Sequence, residues 1–405
     1  MASSGKSSAA SELSRRIRQV TFSPTVAMAQ RAAALRARGE RVLDFSVGEP
    51  DQPTPRHVAA AAAAALEAGQ TRYTGSAGLP ELREAVAHRY REDFGLECGP
   101  EQVVVTDGGK HALYCVCQCL LDAGDQVLIP SPSWPTFAES VRLAGGKPVT
   151  LRTDDREGFR VTARQVSRAL GPRTRALLLN TPSNPTGAVV DAEELLALGR
   201  LARRKKLTLL YDDTYAKLLL DGGPPAPVGE LRRLLGDRLV VIGTASKSYC
   251  MTGWRIGWVV AGQGLASACA TLISHSTQCP TSFAQVGAIA ALTGSQQSVK
   301  RLEAEYRRRL RRIYPLLTSI PGVTCVRPGG GFYLFPSLAG HLGHRAPTTL
   351  ALAMRLLDEE KVAVVPGEGF SAPGYVRISF ARPVDELNEG IGRLAGFLAR
   401  LSERQ

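Results

Sequence analysis

The sequence predicts an α/β fold in which a large domain, built on a mostly parallel seven-stranded sheet, is followed by a smaller α+β domain. Short apolar runs rich in Val, Ile and Leu alternate with helix-like segments between about residues 100 and 260. After about residue 285 the pattern changes to a long charged helix followed by short strands. Apolar runs without polar alternation indicate strands buried on both faces, and strands that alternate with helices form parallel sheets.

The elements follow in chain order. The strands of the large domain are predicted at 102–106, 126–129, 147–151, 176–180, 207–211, 239–243 and 256–261. Its helices are predicted at 58–66, 110–121, 136–143, 191–205 and 229–235. The small domain is predicted to contain a helix at 296–319, strands near 323–326, 331–335, 362–365 and 375–380, and helices near 347–360 and 384–401. Pro321 and Gly322 end the long helix, because proline cannot donate the next backbone hydrogen bond.

The domain boundaries follow the same change of pattern. We expect residues 1–12, which are rich in Ser and Ala, to be disordered. The large domain is expected at 51–290 and the small domain at 291–405. Residues 13–50 have no obvious sheet of their own, so we expect them to join the small domain.

Composition excludes several classes of protein. The net charge is +13, but the basic residues lie in scattered helical runs without interleaved aromatic residues, which predicts solvated faces and no nucleic-acid partner. No apolar run reaches the roughly 18 residues of a membrane span, and the N-terminus lacks the apolar core of a secretion signal, so a cytoplasmic location without a membrane partner is expected. The eight cysteines and six histidines form no cluster at metal-site spacing, so we predict no metal.

A lysine between two serines carries the first chemical signal. Lys247 lies in Ala-Ser-Lys-Ser at 245–248, shortly before Arg255. A lysine amine can join a carbonyl cofactor as a Schiff base, and Ser246 and Arg255 can then hold the phosphate of that cofactor. Asn-Pro-Thr-Gly at 184–187 and Tyr-Asp-Asp-Thr-Tyr at 211–215 precede it in the order that a pyridoxal phosphate (PLP) site requires.

Three side chains are candidates for the ring of that cofactor. Asp212 follows a predicted buried strand, so its carboxylate would emerge at the carboxyl end of the sheet and suit a pyridinium nitrogen; a helix N-cap or turn residue is the alternative. Tyr215 could donate to the phenolic oxygen, or it could be a half-buried packing residue. Asn184 opens a tight turn whose amide is aimed at the same edge, although such a tetrapeptide alone is more often only a turn.

Further candidates surround these residues. Gly-Gly-Lys at 108–110 opens a predicted helix, where backbone N–H groups can approach a phosphate, but a plain strand–helix turn fits equally well. Trp134 could stack on the cofactor ring or pack in the core. Arg377 lies in an alternating strand and would point inward, where it needs an anion. A substrate α-carboxylate and a structural ion pair meet that need about equally.

With these residues in place, the chain resembles the class I/II aminotransferases of PLP fold type I from about Leu13 to Leu398. The nearest likeness is to the bacterial subgroup of aspartate and prephenate aminotransferases. The motifs that carry the resemblance are Gly-Glu-Pro-Asp at 48–51, Tyr-Thr-Gly-Ser-Ala-Gly-Leu-Pro-Glu-Leu-Arg at 73–83, Gly-Gly-Lys at 108–110, Asn-Pro-Thr-Gly at 184–187, Ser-Lys-Ser at 246–248, Thr-Gly-Trp-Arg-Ile-Gly at 252–257, Val-Val-Pro-Gly at 364–367 and Val-Arg-Ile-Ser at 376–379.

The resemblance implies a role for each matching residue. Lys247, Asp212 and Tyr215 would be the catalytic residues. The cofactor would be held by Gly109, Lys110, Trp134, Asn184, Asp212, Tyr215, Ser246, Lys247, Arg255 and, reaching the phosphate of a neighbouring subunit, Tyr73. The substrate would be bound by Gly48, Trp134, Asn184 and Arg377, with Thr25 and Lys110 at a distal carboxylate.

The resemblance also implies a reaction. The expected activity is PLP-dependent transfer of an amino group between an α-amino acid and a 2-oxo acid, with aspartate or glutamate as the first choice, in a homodimer with shared active sites. The alternative is a specialised biosynthetic enzyme of the same fold, either a transaminase for an aromatic, prephenate-like or unusual amino acid, or a cyclase or lyase.

Overall fold

The computed structural model describes residues 13–14, 16–21 and 24–402, without the side chains of residues 24, 25 and 402. The strands are β1 Leu43–Asp44, β2 Val103–Thr106, β3 Gln126–Ser131, β4 Lys147–Arg152, β5 Thr174–Asn180, β6 Thr208–Asp212, β7 Leu239–Thr244, β8 Gly257–Val260, β9 Tyr333–Leu334, β10 Val362–Ala363, β11 Val365–Pro366 and β12 Val376–Ser379. The helices are α1 Pro24–Ala37, α2 Arg56–Glu67, α3 Pro80–Phe94, α4 Gly109–Leu120, α5 Thr136–Leu143, α6 Ala163–Ala169, α7 Ala192–Lys205, α8 Val228–Leu235, α9 Gln263–Ser274, α10 Ser282–Thr293, α11 Gln297–Thr318, α12 Thr349–Glu360 and α13 Val384–Ser402.

The seven predicted strands of the large domain form one sheet, in the order β2-β8-β7-β6-β5-β3-β4. β8 runs antiparallel to β2 and β7, and the other neighbours pair in parallel. The carboxyl ends of β2, β3, β5, β6 and β7 therefore meet at one edge of the sheet. The α/β class and the mostly parallel, seven-stranded sheet predicted from the sequence are confirmed.

Both faces of this sheet are buried, which explains why the strands are apolar without alternation. On β7, Val241 packs into the core formed with α3, α7 and α8, whereas Val240 and Ile242 pack into the core formed with α4 and α9. Successive side chains of a strand point to opposite faces, so both kinds of position must be hydrophobic here.

A separate hydrophobic core unites the two ends of the chain. It contains Met28 from α1, Leu43 from β1, Leu310 from α11 and Leu394 from α13, and β1 pairs in parallel with β10. The N-terminal segment has no sheet of its own, so its short strand β1 pairs with β10 of the C-terminal part instead. On this basis we propose that 13–50 and 291–405 form the small domain and 51–290 the large one; residues 1–12 lie outside the described residues.

The short strands of the C-terminal part differ most from the sequence prediction. Residues 323–326 form no strand, because only Thr324 makes a bridge, to Ser337. The run predicted at 362–365 is divided into β10, which pairs with β1, and β11, which pairs with β12. Within the described part of the chain, no helix is both long enough and apolar enough to cross a membrane.

Candidate active site

A cavity of about 380 Å³ opens at the edge of the sheet where the parallel strands end. It lies between this edge and the segments that surround the second core, where Val26 of α1, Tyr333 of β9 and Arg377 of β12 line its wall. The predicted site residues that line it are Gly48, Gly109, Lys110, Trp134, Asn184, Asp212, Tyr215, Ser246, Lys247, Arg255 and Arg377. The structure therefore brings together residues that are separated by more than half of the chain.

Lys247 lies in the segment that connects β7 to β8. Its Nζ donates a hydrogen bond to the carbonyl oxygen of Gly48 at 2.7 Å. Burial lowers the pKa of Lys247 to about 8; Glu49 opposes this shift, while Arg377, Arg255 and Lys110 add to it by repulsion. An amine with this pKa is partly unprotonated near neutral pH, which is the form that attacks a carbonyl.

Asp212 ends β6 and is buried beneath the cavity. Its Oδ1 accepts hydrogen bonds from the Thr214 backbone N–H at 3.0 Å and from Asn180 Nδ2 at 3.2 Å. Burial raises the pKa of Asp212 to about 6, although these hydrogen bonds and the charge of Lys247 act in the opposite direction. The carboxylate is thus held in place and still ionised at neutral pH, so it can stabilise a cationic ring nitrogen.

Asn180 ties Asp212 to the neighbouring turn. Its Oδ1 accepts a hydrogen bond from the backbone N–H of Asn184 at 2.8 Å while its Nδ2 donates to Asp212. Asn180, at the end of β5, thus holds both Asp212 and the turn at Asn184 in position. Sequence reasoning missed Asn180; the signal was a polar residue at the last position of an otherwise apolar strand.

Tyr215 and Tyr333 form a buried hydroxyl pair on the other side of the cavity. Their hydroxyl oxygens are 2.9 Å apart, and burial raises the pKa of Tyr215 well above its usual value. A Cβ atom on Gly48 would lie 2.4 Å from the Tyr333 hydroxyl oxygen, so only glycine fits at that position. Sequence reasoning missed Tyr333, because no spacing relates β9 to the residues of the large domain.

Glycines and a guanidinium form a cradle at the N-terminus of α4. Gly108 has φ +87°, and a Cβ there would lie 2.4 Å from Arg255 Nη2. Arg255 donates to the carbonyl oxygens of Thr252 and Asp107 at 2.8 and 3.1 Å. Ser246 lies opposite, with its Oγ accepting a hydrogen bond from Thr244 at 2.8 Å. A free helix N-terminus beside a guanidinium and two hydroxyls is suited to a phosphate.

Trp134 and Lys110 form the mouth of the cavity. The Lys110 ammonium lies 5.1 Å from the centre of the Trp134 ring, which packs edge-on against Phe137. Burial and the nearby charge of Arg255 lower the pKa of Lys110. Among the described residues no carboxylate pairs with Lys110, so this cation faces the cavity without a protein counter-ion.

Arg377 is almost completely buried, with 2% of its surface exposed. Its Nη1 donates to Asn184 Oδ1 at 3.0 Å and its Nη2 to the Ser46 carbonyl oxygen at 2.7 Å, whereas its Nε has no partner. The ring of Tyr333 lies against it, with the guanidinium carbon 4.5 Å from the ring centre. No carboxylate of the described residues pairs with it, so the structural ion pair considered from the sequence is absent there.

Two predicted residues are not brought into the cavity by the described chain. Tyr73 is 84% exposed and does not line it. The side chain of Thr25 lies outside the described residues, although its backbone belongs to the first turn of α1. Besides Asn180 and Tyr333, the cavity wall contains Thr214, Thr244 and Phe137, which the sequence did not single out. No three metal-ligating side chains of the described chain lie together in a group that could hold a metal.

The residues present fit PLP. An amine of lowered pKa, a buried carboxylate, a tyrosine hydroxyl and a phosphate cradle line one cavity, and the glycines keep the cradle open. Each group corresponds to one part of the cofactor: the aldehyde, the ring nitrogen, the phenolic oxygen and the phosphate.

Comparison with known proteins gives a consistent result. The family described as "Aminotransferase class I and II" matches residues 40–394. The chain is 42% identical over 390 residues to aspartate aminotransferase of Geobacillus stearothermophilus, covering 96% of this chain and 99% of the relative. It is 41% identical to aspartate/prephenate aminotransferase of Thermus thermophilus, covering 96% and 99%. The structure of Thermus thermophilus aspartate aminotransferase with maleate superimposes with a TM-score of 0.90 at 40% identity, covering 95% of this chain and 99% of that one.

Proposed function

Since the chain belongs to the class I and II aminotransferases, we propose that it moves the amino group of a dicarboxylic amino acid, aspartate or glutamate, to a 2-oxo acid. Enzymes of this family depend on PLP. The observation that carries the proposal is a pair of cations on the wall of the Lys247 cavity, the buried Arg377 and Lys110, neither of which pairs with a carboxylate among the described residues.

We propose that PLP is held by the residues that line the cavity. When bound, the cofactor supplies an electron sink that makes the α-proton of an amino acid acidic. Lys247 holds the aldehyde, Asp212 the ring nitrogen, and Tyr215 and Asn184 the phenolic oxygen. Trp134 covers the ring. The phosphate would be contacted by Ser246 and Arg255 and by the backbone N–H groups of Gly109 and Lys110 at the N-terminus of α4.

Lys247 is also the proton carrier. Its Nζ, which lies on the cavity wall within hydrogen-bond distance of the Gly48 carbonyl oxygen, would take the α-proton of a bound amino acid and give it back. A pKa of about 8 favours both steps near neutral pH, because a base of this strength gains and loses a proton easily. Asp212, with a pKa of about 6, remains mostly anionic under the same conditions and would hold a neighbouring ring nitrogen in its protonated form.

Two cations are proposed to select the substrate. Arg377, with Asn184 and the backbone at Gly48, binds the α-carboxylate through its planar fork of N–H donors. Lys110, at the mouth beside Trp134, binds the distal carboxylate together with Thr25. Two cations that line one cavity without a carboxylate partner among the described residues complement a substrate with two carboxylates.

We also propose a homodimer in which Tyr73 contacts the phosphate bound by the partner subunit. The exposure of Tyr73, 84%, supports this assignment, since an aromatic side chain this open in one chain is suited to contact another.

A half-reaction tests the proposed function. The aldehyde-form absorbance of the purified, PLP-loaded protein is followed with a panel of amino acids, and a 2-oxo acid is added afterwards. We expect aspartate or glutamate to remove the band and 2-oxoglutarate or oxaloacetate to restore it. A band that responds only to other amino acids, such as an aromatic or prephenate-derived one, or that never returns, would instead support the specialised transaminase or the lyase.

Replacing Lys110 by alanine is expected to weaken binding of the distal carboxylate and to leave binding of the α-carboxylate largely unchanged. The kcat/KM for aspartate should fall about tenfold to a hundredfold, because one charge-assisted contact is lost, whereas that for alanine should change much less. Steady-state kinetics with both donors measure the ratio. An equal loss for both donors would assign Lys110 to the cofactor or to the fold.

A further inference from the structure

Asp213 directly follows Asp212, but its side chain lies on the other face of the sheet. Successive side chains at the end of a strand point in opposite directions, so Asp212 lines the Lys247 cavity while Asp213 faces α3. Asp213 is 9% exposed, and its Oδ2 accepts a hydrogen bond from the hydroxyl of Tyr90 on α3 at 2.5 Å. Neither Asp213 nor Tyr90 lines the Lys247 cavity, so any effect on the candidate site must pass through other residues.

The Tyr90 hydroxyl has a second partner, on a different strand. Trp258 on β8 donates from its Nε1 to the Tyr90 hydroxyl oxygen at 2.9 Å. An indole N–H can only donate, so the hydroxyl accepts from Trp258 and donates to Asp213. All three side chains are buried, and burial raises the pKa of Tyr90 well above its usual value, so the hydroxyl keeps the proton that it donates.

A glycine lets these hydrogen bonds cross the strand in between. β7 lies between β6 and β8 in the sheet, and its residue Gly243 is paired with Trp258. A Cβ on Gly243 would lie 2.1 Å from Trp258 Nε1 and 2.4 Å from the Tyr90 hydroxyl oxygen. A side chain at this position would therefore push the indole and the hydroxyl apart.

Both ends of this connection lie close to residues of the candidate site. Asp213 is joined by one peptide bond to Asp212, the proposed partner of the ring nitrogen of PLP. Trp258 follows three residues after Arg255, a proposed partner of the phosphate. One hydroxyl on α3 thus ties the end of β6, which carries Asp212, to the start of β8, which follows Arg255.

We propose that Tyr90 is a positioning residue for the cofactor, acting through Asp213 and Trp258. It sets the separation of Asp212 from Arg255, and hence of the ring-nitrogen contact from the phosphate contact. This inference rests on the proposed function, because it requires PLP to bind at these two residues. A ligand with two anchoring groups gains affinity when its two binding points are held at the right separation beforehand.

The strength of the connection depends on the ionisation of its acceptor. Burial, with the charges of Asp212 and Asp93, raises the pKa of Asp213 to about 7. The hydrogen bond from Tyr90 and the charge of Lys217 act in the opposite direction. An ionised carboxylate accepts a stronger hydrogen bond than a neutral carboxyl group, so the binding experiments are made at about pH 8, above the pKa of Asp213.

Three ligands separate a positioning role from a general effect on the fold. Isothermal titration calorimetry of the full-length protein, freed of cofactor, measures the Kd of PLP, of pyridoxal, which has the ring without the phosphate, and of inorganic phosphate. We expect Tyr90→Phe to raise the Kd of PLP about tenfold and to change the other two by less than about twofold. Each part still finds its own contacts, whereas the separation between them is no longer fixed.

Asp213→Ala removes the other partner of the same hydrogen bond. It should weaken PLP binding about as much as Tyr90→Phe does. The double variant should bind PLP no more weakly than either single variant, because one connection cannot be lost twice. Asp213→Asn keeps an oxygen that can accept from Tyr90, so it should retain most of the affinity. The two single variants act on opposite ends of one bond, so either can serve if the other fails to fold.

Tyr249→Phe is the matched control. Tyr249 is as buried as Tyr90 and lines the same small cavity of about 30 Å³, but its hydroxyl bonds to Lys217 and Gln296. It should leave all three Kd values unchanged. The positioning role is overturned if Tyr90→Phe binds PLP like the wild type, if it weakens all three ligands alike, if Tyr249→Phe has the same effect, or if the losses add in the double variant. A wild type that binds no PLP would overturn the proposed function as well.

Discussion

Replacing Lys247 by alanine is expected to abolish transamination, with kcat reduced by at least about 10⁴-fold. The change removes the amine that holds the aldehyde and the base that moves the α-proton, and general base catalysis alone contributes about 10²–10⁴-fold. Among the described residues, the other lysine of the cavity wall is Lys110, which lies against Trp134 and so is not expected to take over at the same point. The measurement is steady-state kinetics with aspartate and 2-oxoglutarate.

Borohydride reduction followed by peptide mass spectrometry supplies the control. In the wild type, PLP should become covalently attached to Lys247. In Lys247→Ala it should wash out after denaturation, although it still binds without a covalent bond. Lys110→Ala is the matched variant, since it removes a lysine from the same cavity and should leave the covalent attachment intact. Retained turnover in Lys247→Ala, with the label on Lys110, would mean that the wrong lysine has been assigned.

The strands of the large domain were predictable because burial on both faces of the sheet leaves a clear pattern in the sequence. Each predicted strand from 102–106 to 256–261 has its counterpart within a few residues, since strands buried on both faces must be continuously apolar. The direction of β8 was not predictable. An apolar run buried on both faces has the same appearance in a parallel and an antiparallel strand, and the connection of β7 to β8 through Lys247 and Arg255 is long enough for either.

The candidate site was predictable where a residue follows its own strand. Asp212 and the turn at Asn184 come directly after β6 and β5, so the sheet alone brings them to one edge. Tyr333 was not predictable, because it comes from a strand of two residues that is placed by its pairing with β12 and by tertiary contacts with Tyr215 and Arg377. The two explanations of Arg377 were also undecidable from the sequence, since alternation shows that a side chain is inward but not what it meets.

Two buried arginines of this chain illustrate the two explanations, a structural ion pair and a contact with the substrate. Arg309 on α11 is 3% exposed and donates to Asp51 at 3.0 and 2.8 Å and to Glu305 at 2.8 Å, so its charge is neutralised within the fold. Arg377 is equally buried and donates only to an amide and a backbone carbonyl. A buried cation with only neutral partners costs stability, and a bound carboxylate offsets this cost.

Replacing Arg377 by alanine should therefore weaken substrate binding and leave cofactor binding intact. We expect kcat/KM for aspartate to fall about 10²–10³-fold, in line with about 2–5 kcal/mol for a buried charged contact, with loss on every amino acid because all carry the α-carboxylate. PLP affinity, measured by fluorescence titration, should change little. Arg377→Lys should restore only part of the loss, since an ammonium keeps the charge but not the two parallel N–H donors.

Arg309→Ala provides the contrast that decides between substrate binding and structure. It leaves Asp51 and Glu305 without their buried partner, so the temperature of unfolding should fall while KM for aspartate stays near the wild-type value. If Arg377→Ala behaved in the same way, with lower stability and unchanged KM, then Arg377 would be a structural residue. If Arg377→Ala raised KM for aspartate and Arg309→Ala did not, the substrate carboxylate would be the anion that pairs with Arg377.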